Sequence, residues 1–284
     1  MKYSALFAIP VVFCVILGTQ AQDSTTVEDQ TTQTPPASVV PSSQAPSKSA
    51  SPPMTPRQIA EMRADILMAR KEFNDAIRSY QQILFSEPQN AALLNKVGVA
   101  YQQLYDLNHA SHFYKRAMKA DKSFASPVNN LGTVEFELKH YGRAINCYKK
   151  ALVFQTDMPT VYSNLGYAYF ENKEYPQAMN SFGKALSLDP DILSRHAGYG
   201  SIVQQRTATD PGLFYFFVAK TYAASGDAER AAHYLKLARD QGYKNFLSAQ
   251  TDPAFAKVIK DPRVKEVLVV PPSYAGTVPK PVTN

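Results

Sequence analysis

Four alanines, Ala76, Ala110, Ala144 and Ala178, stand at a fixed step of 34 residues, and so do Gly98, Gly132 and Gly166. A period of this size marks a repeated two-helix unit. One unit cannot bury its apolar face alone, so successive copies must stack into a solenoid. The cleanest copy, Pro159 to Asp191, reads PTVYSNLGYAYFENKEYPQAMNSFGKALSLDPD. In it Tyr162, Leu165 and Tyr169 recur at helical spacing and form the buried face of a first helix.

Counted as 34-residue units, the copies start at Arg57, Ala91, Ala125, Pro159 and, after an insertion, Gly212. Position 8 is small in each (Ala64, Gly98, Gly132, Gly166, Ala219), and position 20 is always alanine, ending with Ala231. Position 24 is aromatic in four units (Tyr80, Tyr114, Tyr148, Phe182) and Leu235 in the fifth; Ala117, Ala151, Ala185 and Ala238 recur at position 27. Small residues let the two helices of a unit, A and B, approach closely, and the aromatic is expected to pack helix B against the next unit. This pattern resembles the tetratricopeptide repeat (TPR) family. The resemblance implies a right-handed superhelical solenoid of five TPR-like helix pairs, all-α, over residues 57–243. The first and fifth units fit least well: Arg63 and Lys71 replace an apolar residue and a frequent glycine, as suits a capping unit.

Helix starts are marked independently. Thr55-Pro56, Ser126-Pro127 and Asp210-Pro211 each place an N-cap former before a proline suited to a first helical turn, and Pro176 opens a helix B similarly. Pro88 and Pro190 stop helices. Past Gly242, which suits a helix C-cap, Asp252-Pro253 and Asp261-Pro262 start a short helical C-terminal cap over residues 244–268. Its apolar face is Phe255, Val258, Ile259, Val264, Val267 and Leu268, and it resembles the endings of many bacterial TPR proteins. A proline-containing tail follows at 269–284.

The segments outside the array have other signatures. Residues 1–21 combine Lys2, an apolar stretch from Ala5 to Gly18 and a small-residue site at Thr19-Gln20-Ala21, the layout of a secretory signal peptide. The stretch falls short of the ~20 residues of a spanning helix. Export to the periplasm or medium is therefore expected, with an uncleaved inner-membrane anchor as the alternative. Phe13 before Cys14 does not suit a lipidation site. Residues 22–56, dominated by Ser, Thr, Pro and Gln, are expected to form a disordered spacer. The insertion at 193–211 carries Gly198 and Gly200 and no helical period. Loops of this length inside compact arrays are often functional, and Tyr199, Gln204, Gln205 and Arg206 are its candidate contact groups.

Catalytic signatures are missing: there is no G-x-S-x-G, no phosphate-cradling glycine loop and no H-E-x-x-H. No enzyme activity, cofactor or metal is expected. With Cys14 in the leader, Cys147 stands alone in the mature chain and no internal disulfide can form. The net charge of +6 is spread without a basic run, so no nucleic-acid partner is expected.

What remains is protein or peptide binding. The TPR resemblance implies that positions 2, 5, 6, 9, 12 and 13 of helix A face the concave groove. Here they include Asn95, Lys96, Val99, Gln102 and Gln103, then Asn129, Asn130, Thr133, Phe136 and Glu137. Ser163, Asn164, Tyr167, Phe170, Glu171, Phe216, Phe217 and Lys220 follow. Asn130 and Asn164 share position 6 and could pair with the backbone of an extended peptide, with Phe136, Tyr167 and Phe170 supplying pockets. The carboxylate-clamp mode is excluded, because Glu61 and Asp65 stand where it requires Lys and Asn. The leading reading is a non-enzymatic adaptor in the bacterial envelope. The alternative is a structural subunit of a secretion, pilus or polysaccharide-export assembly, docked by its convex face or the 193–211 loop. Oligomeric state stays open.

Overall fold

The computed structural model describes residues 53–194 and 208–269. The segments 1–52, 195–207 and 270–284, and with them the signal peptide, most of the spacer and the tail, lie outside the described residues. Five helix pairs follow one another: α1 (Pro56–Ala69) with α2 (Phe73–Ser86), α3 (Ala91–Gln103) with α4 (Leu107–Ala120), α5 (Ala125–Glu137) with α6 (Tyr141–Phe154), α7 (Pro159–Glu171) with α8 (Tyr175–Leu188), and α9 (Pro211–Ser225) with α10 (Ala228–Asp240). Two 3-10 turns, Phe246–Gln250 and Pro253–Phe255, and α11 (Pro262–Leu268) close the C-terminal end. No strand occurs among the described residues, so the all-α stack of helix pairs with a helical cap is observed.

The 34-residue signature packs the inside of each pair. A Cβ on Gly98 would meet the Tyr114 ring at 2.5 Å, one on Gly132 the Tyr148 ring at 2.7 Å, and one on Gly166 the Phe182 ring at 2.5 Å. The position-24 aromatic therefore lies against the glycine of its own unit, a closer role than packing on the next one. Its hydroxyl then anchors further along helix A: Tyr80 donates to Asp65 Oδ1 (2.5 Å) and Tyr114 to Gln102 Oε1 (2.7 Å).

Local signals set the helix ends. Thr55 and Gln58 form a reciprocal capping box at α1, and Asp210, Asp252 and Asp261 cap the helical segments that follow them. Ser126-Pro127 does not act this way. Helix α5 starts at Ala125 behind Phe124, leaving Pro127 inside the first turn, where no N–H is required. Pro176 is likewise the second residue of α8, behind Glu174. Helices α1, α3, α5 and α7 all end in a left-handed residue that is not glycine: Lys71, Tyr105, Lys139 and Lys173, with φ of 60–64°. Lys71 is thus no peculiarity of the first unit. Gly226 (φ 92°) takes this place in the fifth unit and Gly242 (φ 80°) ends α10.

The fifth pair joins the stack inverted. Tyr175, at the start of α8, stacks on Phe217 in the first half of α9 (4.9 Å between centroids). Arg230, at the start of α10, pairs with Asp191 just beyond the end of α8. Thr209, just before α9, donates its hydroxyl to Glu171 at the end of α7 (2.6 Å). Helix α9 therefore runs along α8 in the same direction, whereas each earlier helix A turns back against the preceding B through four residues. A parallel neighbour requires a connection as long as α8, about 21 Å for a fourteen-residue helix. Residues 189–210, of which 195–207 lie outside the described residues, join the two helices in the sequence.

Helix α9, apolar on almost every side, is the buried centre of this end. Phe214 packs on Tyr167, Phe170 and Phe182, and Phe216 on Tyr243 and Phe255. Phe255, Val258, Val264, Val267 and Leu268 of the cap are buried, while Ile259 is only partly so. At the other end α1 keeps Met62 and Ile66 exposed.

Candidate functional site

Inner helices of consecutive units are stitched together by side chains 35 residues apart. Asn130 Nδ2 donates to Asn95 Oδ1 (3.0 Å), and Asn164 Nδ2 to Asn129 Oδ1 (3.0 Å). Gln102 Nε2 donates to Glu137 Oε1 (2.8 Å). Lys96 does the same with Glu61 at 2.8 Å, and also reaches both oxygens of Asp65. Position 6 of one unit thus meets position 5 of the unit before.

This pairing corrects the expected groove. Asn129, Asn130, Thr133, Ser163 and Asn164 are buried, and so are Phe136, Tyr167 and Phe170. The Asn130–Asn164 ladder does not present free amides. Each asparagine binds an amide in the neighbouring unit, because stacking brings two polar helices together where water is excluded and the groups must pair. Nor do Tyr167 and Phe170 line an open pocket, since Phe214 and Phe217 of the inverted pair cover them. Phe216 is buried as well, and Lys220 is held by Asp252 at 2.6 Å over the Phe217 ring. Tyr199, Gln204, Gln205 and Arg206 lie outside the described residues.

The inner face stays accessible over the first two units. Asp65 is exposed, and Glu61, Asn95, Lys96, Val99 and Gln103 are partly so. Two carboxylates converge on Lys96. Burial alone would lower the Lys96 pKa, but hydrogen bonds to Asp65 and Glu61 outweigh it and hold the ammonium charged. Glu61 and Asp65 entered the sequence reading only as misfits to an anion clamp. Their 35- and 31-residue distances to Lys96 were the missed signal for a charged patch on this face.

Deeper in, Tyr114, Gln102 and Glu137 form a buried chain of hydrogen bonds. Glu137 Oε2 and the Ser163 hydroxyl find no partner among the described residues, and burial pushes the Glu137 carboxyl up. Between α8 and α9 the parallel packing leaves a cleft of about 500 Å³, lined by Met179, Leu186, Thr221, Tyr222 and Arg230 among others. Among the described residues no group of three or more His, Cys, Asp or Glu is placed to hold a metal. No helix there is long and apolar enough to cross a membrane.

Family models for the TPR repeat match residues 132–173, and models for the tetratricopeptide repeat match 159–192 and 61–108. The first two contain the Gly132–Tyr148 and Gly166–Phe182 contacts described above, and the third covers most of the first helix pair and α3. The chain is a tetratricopeptide-repeat protein. As such it has a fold that serves as a protein-interaction scaffold. Among solved TPR structures, PilF of Pseudomonas aeruginosa superposes with a TM-score of 0.51 at 19% identity, covering 75% of this chain and 86% of that one. MamA of Desulfovibrio magneticus RS-1 gives 0.47 at 16% identity, covering 66% and 95%. YrrB, described as a TPR protein with an unusual peptide-binding site, gives 0.44 at 17% identity, covering 68% and 91%. No curated protein sequence matches the chain.

Proposed function

We propose that this TPR protein is a non-enzymatic adaptor of the bacterial envelope that takes up a peptide or protein segment along the inner face of its first two units. The observation that carries the reading is the accessibility of Glu61, Asp65, Asn95, Lys96, Val99 and Gln103 on one inner face, beside a second half whose inner face is occupied by its own contacts. The partly exposed Asn95 and Gln103 carry donor and acceptor groups suited to a peptide backbone. Val99 supplies an apolar contact between them. The paired charges at Lys96 favour a partner segment carrying both signs over an acidic tail.

A photo-crosslinking residue at Gln103 should capture the partner in cells, and one at Tyr167 should not. Combining Asn95→Ala with a crosslinker at Gln103 should weaken capture about tenfold, the loss of one or two hydrogen bonds. Equal capture from both positions would sink the assignment to the first two units. Cell fractionation tests the envelope placement, and recovery in the cytosol would remove it.

A further inference from the structure

Charge in the second to fourth units is sorted by helix. The outer helices α4, α6 and α8 carry seven Lys and Arg and no Asp or Glu. Their inner partners α3, α5 and α7 carry one Lys and three Glu. Cations that look scattered along the chain are thus gathered on one side by the 34-residue step. Arg116, Lys150 and Lys184 occupy the same repeat position in successive units.

Apart from Arg143, which lies 3.6 Å from Glu135, these cations differ from the others. Arg57, Lys96, Lys220, Arg230 and Arg263 all hold carboxylates. Lys115, Lys119, Lys150 and Lys184 are exposed, and none has a carboxylate among the described residues within ion-pair distance. Apolar groups stand among them without cover. Phe85, Lys119 and Val153 share one repeat position, with Phe85 93% and Val153 78% exposed, and Phe154 and Leu188 lie at the ends of α6 and α8.

We propose that the outer face of α4, α6 and α8 docks onto a bilayer containing anionic phospholipid. Long lysine side chains reach headgroup phosphates while their stems lie over apolar surface. The side chains of Val153 and Phe154 enter the acyl boundary beside them, the pairing that holds peripheral proteins at a membrane surface. Each cation close to an anionic leaflet strengthens partition roughly fivefold. A nucleic acid would meet the cations but leave the exposed Val153 and Leu188 without an apolar partner, whereas a bilayer takes up both.

The test is co-sedimentation of the full chain with phosphatidylcholine vesicles, with and without phosphatidylglycerol. The phosphatidylglycerol vesicles should bind more strongly, and raising the salt should remove the difference. The combined variant Lys115→Gln, Lys119→Gln, Lys150→Gln, Lys184→Gln should weaken that binding at least about a hundredfold, with an unchanged melting midpoint. Both proteins carry the same apolar N-terminal stretch, so the difference reports the face alone. Val153→Ser should reduce binding to phosphatidylglycerol vesicles further. Equal binding by the variant overturns the proposal. So does retention on polyglutamate or nucleic acid without any preference for anionic vesicles.

Discussion

The first two units and the last three are built from the same helix pair, yet only the first two leave their inner face accessible. In units one and two that face carries Glu61, Asp65 and Lys96, which settle their charges with each other at the surface. In units three and four it carries amides and aromatic rings, which can be closed over because each finds a partner in the next helix. The inverted fifth pair completes that closure. A repeat position therefore fixes which way a side chain points and leaves open whether solvent reaches it.

The sharpest way to break this comparison is at the glycines. Gly166→Ala would drive a Cβ into the Phe182 ring and should cost about 3 kcal/mol, measured by urea denaturation. Gly183→Ala in α8, where nothing lies within 4 Å, should instead stabilise by roughly 0.5–1 kcal/mol. Next come the asparagines. Asn164→Ala strips the buried Asn129 oxygen of its donor and should cost about 2 kcal/mol. Asn95→Ala removes the acceptor of Asn130 Nδ2 at a partly exposed position, where water can take its place; it should cost under about 1 kcal/mol and also weaken partner capture. Equal losses at the two sites would erase the distinction between the halves.

Smaller effects are expected at the turns and in the hydrogen-bonded chain between them. Lys139→Gly relieves a left-handed backbone at φ 61°; after the extra freedom of the unfolded glycine is subtracted, it should stabilise by up to about 1 kcal/mol. Glu137→Gln should slightly raise the melting midpoint at neutral pH. Burial raises the folded-state pKa of Glu137, so the folded protein prefers the protonated acid. Its contribution is fully present below the unfolded pKa and is lost as pH rises through the folded one. The gain from Gln should therefore shrink as the pH is lowered, and a gain that grows in acid would contradict the buried-carboxyl account.

Much of the fold was legible because its determinants recur at one spacing. Gly98, Gly132 and Gly166, set against Tyr114, Tyr148 and Phe182, specify a close A–B crossing without reference to the rest of the chain. The helix starts at Thr55 and Asp210 were readable for the same local reason, and Ser126 misled because a proline tolerated in a first turn marks no single position within it. The candidate site was less legible. Asn130 and Asn164 look alike as a ladder for a ligand, but their amides answer to Asn95 and Asn129, one residue out of register with the repeat.

By itself, the sequence determined five helix pairs, their close A–B crossings and the capped C-terminal end, since each depends on contacts within one unit or at one helix terminus. Only the tertiary structure decided which inner faces stay open, that the last pair is reversed and that the cations share one side. These depend on how neighbouring units meet. A side chain pairs with whatever stacking brings opposite it, and a 34-residue period says where the next unit begins without saying which of its groups will be covered.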